Sequence, residues 1–198
     1  MNPFAHVSCI ILSAGSSGRM GRHKALLEFD ETFTFVEKIT NEYLTAGIGE
    51  VIVVVSSDLN NEIKDRGISF PAEIHFVINH KPESGRFYSL QTGIQYMQEG
   101  NYCFFQNIDN PFTTVKLLQD LISQKDHADV VIPVFKNKGG HPVLLSPMIL
   151  QELMKGKGSD LRIDQYLTKF RKRRIDTSDE WILVNINSIN EYKTAGFK

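Results

Sequence analysis

The chain has 198 residues, of which 41% are hydrophobic and 23% charged, as in an ordinary globular protein of one domain. Its formal net charge of −1 gives no general attraction to nucleic acid or to acidic membranes. The amino end lacks the pattern of a secretion signal, and no apolar stretch reaches the roughly 20 residues that span a bilayer. We therefore expect a cytoplasmic protein without nucleic-acid or membrane partners.

Strands and helices alternate in the predicted structure of the first two thirds of the chain. Short apolar, β-branched runs predict buried strands at residues 7–12, 50–56, 73–78, 102–106 and 129–134. Helical spacing and capping residues predict helices at 34–46, 59–66 and 88–98, and from Thr113 or Thr114 to Ser123. Cys9 and Cys103 lie within two of the strands, which favours buried, reduced thiols. The alternation implies a mainly parallel sheet covered on both faces.

The last third is less regular. We predict strands at 142–146 and 181–184, helices at 147–153 and 163–170, and a final helix from Ser188. The basic run at 169–174 is interpreted as the solvated end of a helix or strand. The expected fold class is α/β: one domain, residues 1–198, forming a three-layer α/β/α sandwich whose mostly parallel sheet has a small antiparallel part. Ligands of such sheets bind beyond the carboxyl ends of the strands.

A glycine-rich loop at residues 12–24 directly follows the first predicted strand. Its three glycines allow backbone N–H groups to approach an anion closely, and Arg19 and Lys24 add positive charge. Converging donors and cations of this kind suit a triphosphate. The spacing matches neither the P-loop nor the dinucleotide-binding motif, so composition alone leaves a flexible solvent loop open.

The loop, Leu-Ser-Ala-Gly-Ser-Ser-Gly-Arg-Met-Gly-Arg-His-Lys, resembles the L-x-A-G-x-S-x-R-M-G-x-x-K signature of NTP transferases. The branch that it most resembles is the MobA-like group, which attaches a nucleotide to molybdopterin and has a nucleotide-diphospho-sugar transferase-like fold. The resemblance implies that the backbone of 12–15 lines the base and that Arg19 and Lys24 hold the phosphates. The nucleotide-binding residues that it implies in this loop are Leu12, Ala14, Gly15, Ser16, Gly18, Arg19 and Lys24.

Two later segments resemble further motifs on the nucleotide side. Residues 79–90 resemble N-x-x-W-x-x-G-x-x-x-S-L without the tryptophan, which implies that Asn79 and Ser89 bind the nucleotide. Residues 108–111 resemble G-D-M-P with Ile108 in place of glycine, which implies that Asp109 is a Mg²⁺ ligand. From the residues alone, Ser89 could equally cap a helix and Asp109 could occupy a turn.

Three segments resemble the acceptor side and a second metal position. Residues 139–143 resemble the G-H-P-V segment, and 158–162 resemble G-D-x-G-x-R with one glycine missing. They imply that His141, Asp160 and Arg162 contact the acceptor, although a structural histidine and an acidic helix start remain alternatives. Residues 184–192 resemble V-D-I-D-T-P-E-D-Y, which implies that Asn185 assists Asp109 in binding the metal.

The resemblance implies a Mg²⁺-dependent nucleotidyltransferase that moves an NMP from CTP or GTP to a small phosphate-bearing acceptor, releasing pyrophosphate. Arg19, Lys24 and Asp109 would be catalytic, the acceptor would be molybdopterin or molybdenum cofactor, and a molybdoenzyme or cofactor-insertion protein would be a further partner. Asn185 is typical of guanylyl-transferring relatives, whereas 158–162 favours the cytidylyl branch. A sugar-phosphate or other small-phosphate nucleotidyltransferase, and a non-catalytic nucleotide-binding accessory protein, are the alternatives.

Overall fold

The computed structural model describes residues 2–15, 20–156 and 162–197. Within these ranges one mixed sheet contains eight strands. They are β1 Val7–Ser13, β2 Val51–Val55, β3 Ile74–Ile78, β4 Tyr102–Asn107, β5 Val130–Phe135, β6 Lys138–Gly139, β7 Val143–Leu145 and β8 Lys172–Asp176. Their order is β3-β2-β1-β4-β7-β5-β6, and β8 pairs with β5.

Strands β1 to β4 are parallel, and β7 runs antiparallel to both β4 and β5. The sheet is therefore mostly parallel with an antiparallel part, as predicted. The chain passes from β1 to β2 on one side, whereas β4 joins β1 on the other side. Leu12 consequently lies opposite Asn107. The chain leaves the carboxyl ends of β1 and β4 towards opposite sides of this strand pair, which makes it a topological switch point, where ligands bind in open α/β sheets.

Helices cover both faces of the sheet. The helices are α1 Phe35–Ala46, α2 Ser57–Asp65, α3 Gly85–Ile94, α4 Val115–Ile122, α5 Pro147–Lys155, α6 Ile163–Tyr166 and α7 Ile189–Thr194. Buried side chains of α1, α2, α4 and α7 form one hydrophobic core, and those of α3, α5 and α6 form a second core on the other face. This arrangement confirms the predicted α/β/α sandwich.

Local chemistry explains why these elements form where they do. Every residue of β1 and β2 is buried, so both strands are nearly continuously apolar rather than alternating. Helix α1 begins with a capping box between Thr34 and Glu37, and ends at Gly47, whose φ of 94° favours glycine. The prediction of buried, reduced thiols is also confirmed, because Cys9 and Cys103 are both free and buried.

The structure corrects three predicted elements and adds strand β8, which the sequence did not predict. The predicted strand at 181–184 is wrong: Glu180–Leu183 is a 3-10 helix, and Asp179 accepts a hydrogen bond from the backbone of Trp181. The basic run contributes to β8, which pairs with β5 and exposes most of its residues. The interpretation of the run as a solvated end is therefore confirmed, but no apolar pattern marks the strand. Helix α3 begins and ends three to four residues earlier than predicted, and residues 163–170 contain α6 followed by a 3-10 turn, Leu167–Lys169.

None of the helices in the described ranges is both long and apolar enough to cross a membrane.

Candidate active site

A cavity of about 260 Å³ lies at the carboxyl ends of β1 and β4. Three parts of the chain form most of its wall: the residues that end β1, those that end β4, and the first turn of α3. The lining residues are Leu12, Ser13, Ala14, Gly15, Met20, Lys24, Pro82, Gly85, Arg86, Ser89, Asn107, Ile108, Asp109 and Asn187. We call this space the first cavity.

Asp109 lies in the first cavity with one carboxylate oxygen between two cations. Its Oδ2 is 3.8 Å from Lys24 Nζ and 3.9 Å from Arg86 Nη2. Its Oδ1 is buried and has no hydrogen-bond partner among the described residues. A buried carboxylate oxygen without a partner is costly for a folded protein, so this atom is available to a ligand.

Lys24 connects the glycine-rich loop to the carboxyl-terminal part of the chain. It begins a 3-10 helix, Lys24–Leu26, whose next two residues are buried, and its Nζ donates a 2.7 Å hydrogen bond to Asn187 Oδ1. The backbone N–H of Ile186 donates to the backbone oxygen of Asp109 over 2.7 Å. This backbone contact fixes the register that brings Asn187 beside Lys24.

The first turn of α3 faces the same cavity. Gly85 has a φ of 83°, a conformation that side chains disfavour, and Ser84 makes no side-chain hydrogen bond to the turn. This end of the helix therefore has no side-chain cap, although the backbone N–H of Gly85 donates to the backbone oxygen of Pro82. Ser89 donates to the backbone oxygen of Gly85 and accepts from the amide of buried Asn79, over 3.2 and 2.9 Å. Asn79 therefore supports Ser89 from behind the cavity wall and does not line the cavity.

A buried hydrogen-bond network holds the segment that carries Asp109. The Asn110 amide donates to the backbone oxygens of Val184 and Trp181 over 2.6 and 3.0 Å. The Gln106 amide donates to the backbone oxygen of Asn110, and Tyr43 donates its hydroxyl to Gln106 Oε1. Burial raises the pKa of Tyr43, so its hydroxyl stays a protonated donor. Hydrogen bonds within the protein therefore fix the position of the segment that carries Asp109.

A second cavity of about 580 Å³ adjoins the first, and Arg86 and Asn107 line both. Its wall is largely apolar, and basic side chains lie around it. The other lining residues are Phe105, Ile132, Gly139, Gly140, His141, Val143, Arg162, Ile163, Asp164, Leu167 and Lys172. Arg162 is paired with Asp164 through two contacts of 3.1 Å, so that carboxylate already has a partner.

His141 lies between β6 and β7, at the edge that the second cavity shares with Asn107. Its Nε2 is 3.2 Å from the Asn107 amide nitrogen, and its backbone N–H donates to the backbone oxygen of Ile182 over 3.0 Å. Burial lowers the pKa of His141, and the charge of Asp109 offsets only part of this effect. The imidazole is therefore neutral at pH 7.

The structure brings most of the sequence-predicted residues together in two groups. Leu12, Ala14, Gly15, Lys24, Ser89 and Asp109 line the first cavity, and His141 and Arg162 line the second. Ser16, Gly18, Arg19 and Asp160 lie outside the described residues.

The structure does not place Asn185 in either cavity: it is exposed, and Asn187 lines the first cavity instead. Sequence reasoning also missed Arg86, Asn107 and Lys172. Arg86 directly follows the glycine of the 79–90 motif, and this adjacency was the available signal. In the described ranges no three His, Cys, Asp or Glu side chains form a metal cluster, so Asp109 is a single carboxylate ligand candidate.

Comparisons with known proteins agree with this geometry. A family model described as the MobA-like NTP transferase domain matches residues 9–175. The molybdenum cofactor cytidylyltransferase of Escherichia coli K12 is 23% identical over 192 residues, covering 96% of this chain and 95% of that protein. A probable molybdenum cofactor guanylyltransferase of Bacillus mycoides KBAB4 is 24% identical over 204 residues, covering 94% of each. The solved structure of a nucleotidyl transferase from Methanothermobacter superposes with a TM-score of 0.77 at 22% identity, covering 96% of this chain and 95% of that one.

Proposed function

Since this chain belongs to the MobA-like NTP transferase family and is a nucleotidyltransferase, we propose that it transfers a cytidylyl or guanylyl group from CTP or GTP to the phosphate of molybdopterin. The observation that carries this proposal is the pair of adjoining cavities with Asp109 on the wall of the first, next to a largely apolar second cavity. Relatives that cover nearly the whole chain act on the molybdenum cofactor by name.

The first cavity suits the triphosphate. Backbone groups of the loop after β1 can approach the base and ribose closely, because Gly15 has open space around its Cα. Lys24 offers positive charge and a donor to phosphate oxygens, and the amino end of α3, which has no side-chain cap, faces the same cavity.

The second cavity suits an acceptor that carries a phosphate and whose ring faces can pack against apolar side chains. Its inner wall contains the buried side chains of Phe105, Val143 and Ile163, while Arg162 and Lys172 are exposed cations at its edge. A sugar is recognised mainly by hydrogen bonds to its hydroxyl groups, and Asp164, the carboxylate that lines this cavity, is already paired with Arg162. These features favour a pterin acceptor over a sugar 1-phosphate.

Mg²⁺ is the metal that we propose for this site, with Asp109 as its ligand from the protein. The buried, unpartnered Oδ1 fits a hard cation that takes few carboxylates and completes its shell with water and phosphate oxygens. The ion would supply charge neutralisation at the phosphates during transfer.

The reaction that follows is an in-line substitution. An acceptor phosphate oxygen bonds to the α-phosphorus, the bond between that phosphorus and the bridging oxygen breaks, and pyrophosphate leaves with the electron pair. The attacking phosphate is already anionic, so no general base is needed, and neutral His141 is suited to positioning through Asn107 rather than to supplying charge. Lys24 stabilises negative charge that develops on the leaving side.

The test is a matrix of the four NTPs against molybdopterin and sugar 1-phosphates, with Mg²⁺, read as pyrophosphate release and as the mass of the product. We expect release with molybdopterin and with CTP or GTP. Release with sugar 1-phosphates alone would show that the acceptor is wrong while nucleotidyl transfer stands. No release with any pair would overturn the whole proposal.

A further inference from the structure

Arg86 is the one positively charged side chain, among the described residues, that lines both cavities. We propose that its guanidinium binds the acceptor's phosphate and holds it against the α-phosphate of the nucleotide, making Arg86 a catalytic residue that the motifs do not identify. This inference rests on the proposed nucleotidyl transfer and names the group that brings its two substrates together.

The position of the side chain supports this role. Arg86 Nη2 lies 3.9 Å from Asp109 Oδ2, and Arg86 lines both cavities, whereas Lys24 lines only the first cavity. Two substrates that meet at this boundary each bring an anionic phosphate. Apart from Arg86, the described residue that lines both cavities is neutral Asn107, so Arg86 is the group placed to offset the repulsion there.

Fold stability does not explain an arginine at this position. Arg86 belongs to the first turn of α3, where a positive charge opposes the helix dipole, and its side chain is 69% exposed. The contact to Asp109 is too long for a hydrogen bond. Because Arg86 contributes little to packing or to helix stability, ligand binding is the better explanation for a positive charge at the wall of both cavities.

The helix that carries Arg86 is held in place by packing against the core. Phe87, the next residue, is buried in the core. Further along α3, a Cβ at Gly93 would lie 2.7 Å from an Ile10 methyl carbon, so the helix packs against β1 as closely as it can. The guanidinium can therefore reach the boundary from a rigid element and bind a phosphate through two parallel hydrogen bonds.

The decisive experiment separates acceptor phosphate from nucleotide phosphate. Arg86→Gln, Arg86→Lys and a control, Lys116→Gln, are compared with the wild type; Lys116 is an exposed cation of α4 that lines neither cavity. Calorimetry measures the Kd for non-hydrolysable CTP and GTP analogues, and then the Kd of the analogue-loaded protein for inorganic phosphate. Steady-state kinetics with molybdopterin give the KM for the acceptor.

For Arg86→Gln we expect the phosphate Kd and the acceptor KM to rise roughly 10- to 100-fold, as for loss of a charge-assisted hydrogen bond. For Arg86→Lys the phosphate Kd and the acceptor KM should lie between those of the wild type and Arg86→Gln, because lysine keeps the charge but loses the two-point geometry. The nucleotide Kd should change by less than about threefold, and Lys116→Gln should match the wild type.

Two results would overturn the assignment: an unchanged phosphate Kd in Arg86→Gln, or a nucleotide Kd that weakens as much as the phosphate Kd. The phosphate measurement needs no molybdopterin. If the wild type fails to turn over molybdopterin, the proposed acceptor is wrong, and inorganic phosphate binding still decides the role of Arg86.

Discussion

Asp109→Asn is the substitution that tests the site most directly, because it keeps the shape of the side chain and removes its charge. Asp109 is 6% exposed, and the described residues that line the first cavity include no second carboxylate. Loss of one electrostatic contact to the transition state costs about 3 kcal/mol. At about 1.4 kcal/mol per tenfold, kcat should fall about 150-fold.

The same substitution should leave the protein folded. The charged form of Asp109 loses hydration at Oδ1, which has no partner in the part of the chain that the structure describes, but it gains attraction from Lys24 and Arg86. These contributions oppose each other. We expect the unfolding free energy to change by less than about 2 kcal/mol. A large loss of activity with little loss of stability would therefore show that the substitution impairs the transfer reaction and not folding.

The assay is pyrophosphate release as a function of Mg²⁺ concentration, with thermal unfolding measured in parallel. Asp109→Asn should also raise the Mg²⁺ concentration that gives half of the maximal rate. Asp120→Asn is the control, since Asp120 pairs with Lys116 on the surface of α4 and lines neither cavity. If Asp109→Asn kept more than about a third of the wild-type rate at equal Mg²⁺, the assignment of Asp109 as metal ligand would be refuted.

Five further variants test individual contacts. Lys24→Ala should lower kcat/KM about 100-fold in the transfer assay, since it removes a cation from the phosphate site. Asn187→Ala should lower kcat/KM about tenfold, because it removes a hydrogen bond to a charged group, while Asn185→Ala should have no measurable effect. Burial lowers the pKa of His141, so the unfolding free energy should fall as the pH drops below about 6.5, and His141→Gln should flatten that dependence in denaturant titrations. Gly140→Ala should lower Tm by about 4–8 °C, corresponding to about 2 kcal/mol, because a Cβ there would lie 2.4 Å from a backbone oxygen.

The asparagine and histidine expectations each have a result that contradicts them. Equal losses from Asn185→Ala and Asn187→Ala would show that the carboxyl-terminal segment acts only through its fold. A steep pH dependence that persists in His141→Gln would assign that dependence to other groups; His127→Gln, which changes an exposed histidine, is the matched control. Gly49→Ala, where a Cβ would meet no atom within 4 Å, controls for the loss of glycine itself.

The sign of the pH effect follows from which state binds the proton. The lowered pKa means that the folded protein keeps His141 neutral at a pH where the unfolded chain has already protonated it. Between the lowered value and the ordinary value the unfolded state therefore binds more protons, so stability rises with pH across that interval. Below the lowered value both states are protonated and the dependence ends.

The amino-acid sequence by itself determined the layered architecture and predicted several residues that line the first cavity. The first five predicted strands all form, because buried parallel strands require continuous apolar runs that are visible in a linear sequence. The motif loops after β1 and β4 were predictable for a similar reason. Parallel strands place their carboxyl ends at one edge of the sheet, so Lys24 and Asp109 were expected to meet although 84 positions separate them.

Only the tertiary structure decided which residues complete the site. The hydrogen bond from Ile186 to Asp109 sets the register of the carboxyl-terminal segment, and it places Asn187 rather than Asn185 beside Lys24. Strand β8 escaped prediction because an edge strand with exposed side chains needs no apolar pattern. Arg86 likewise carries no pattern of its own. The role that we propose for Arg86 depends on the boundary between two cavities, and that boundary exists only after α3 packs against β1.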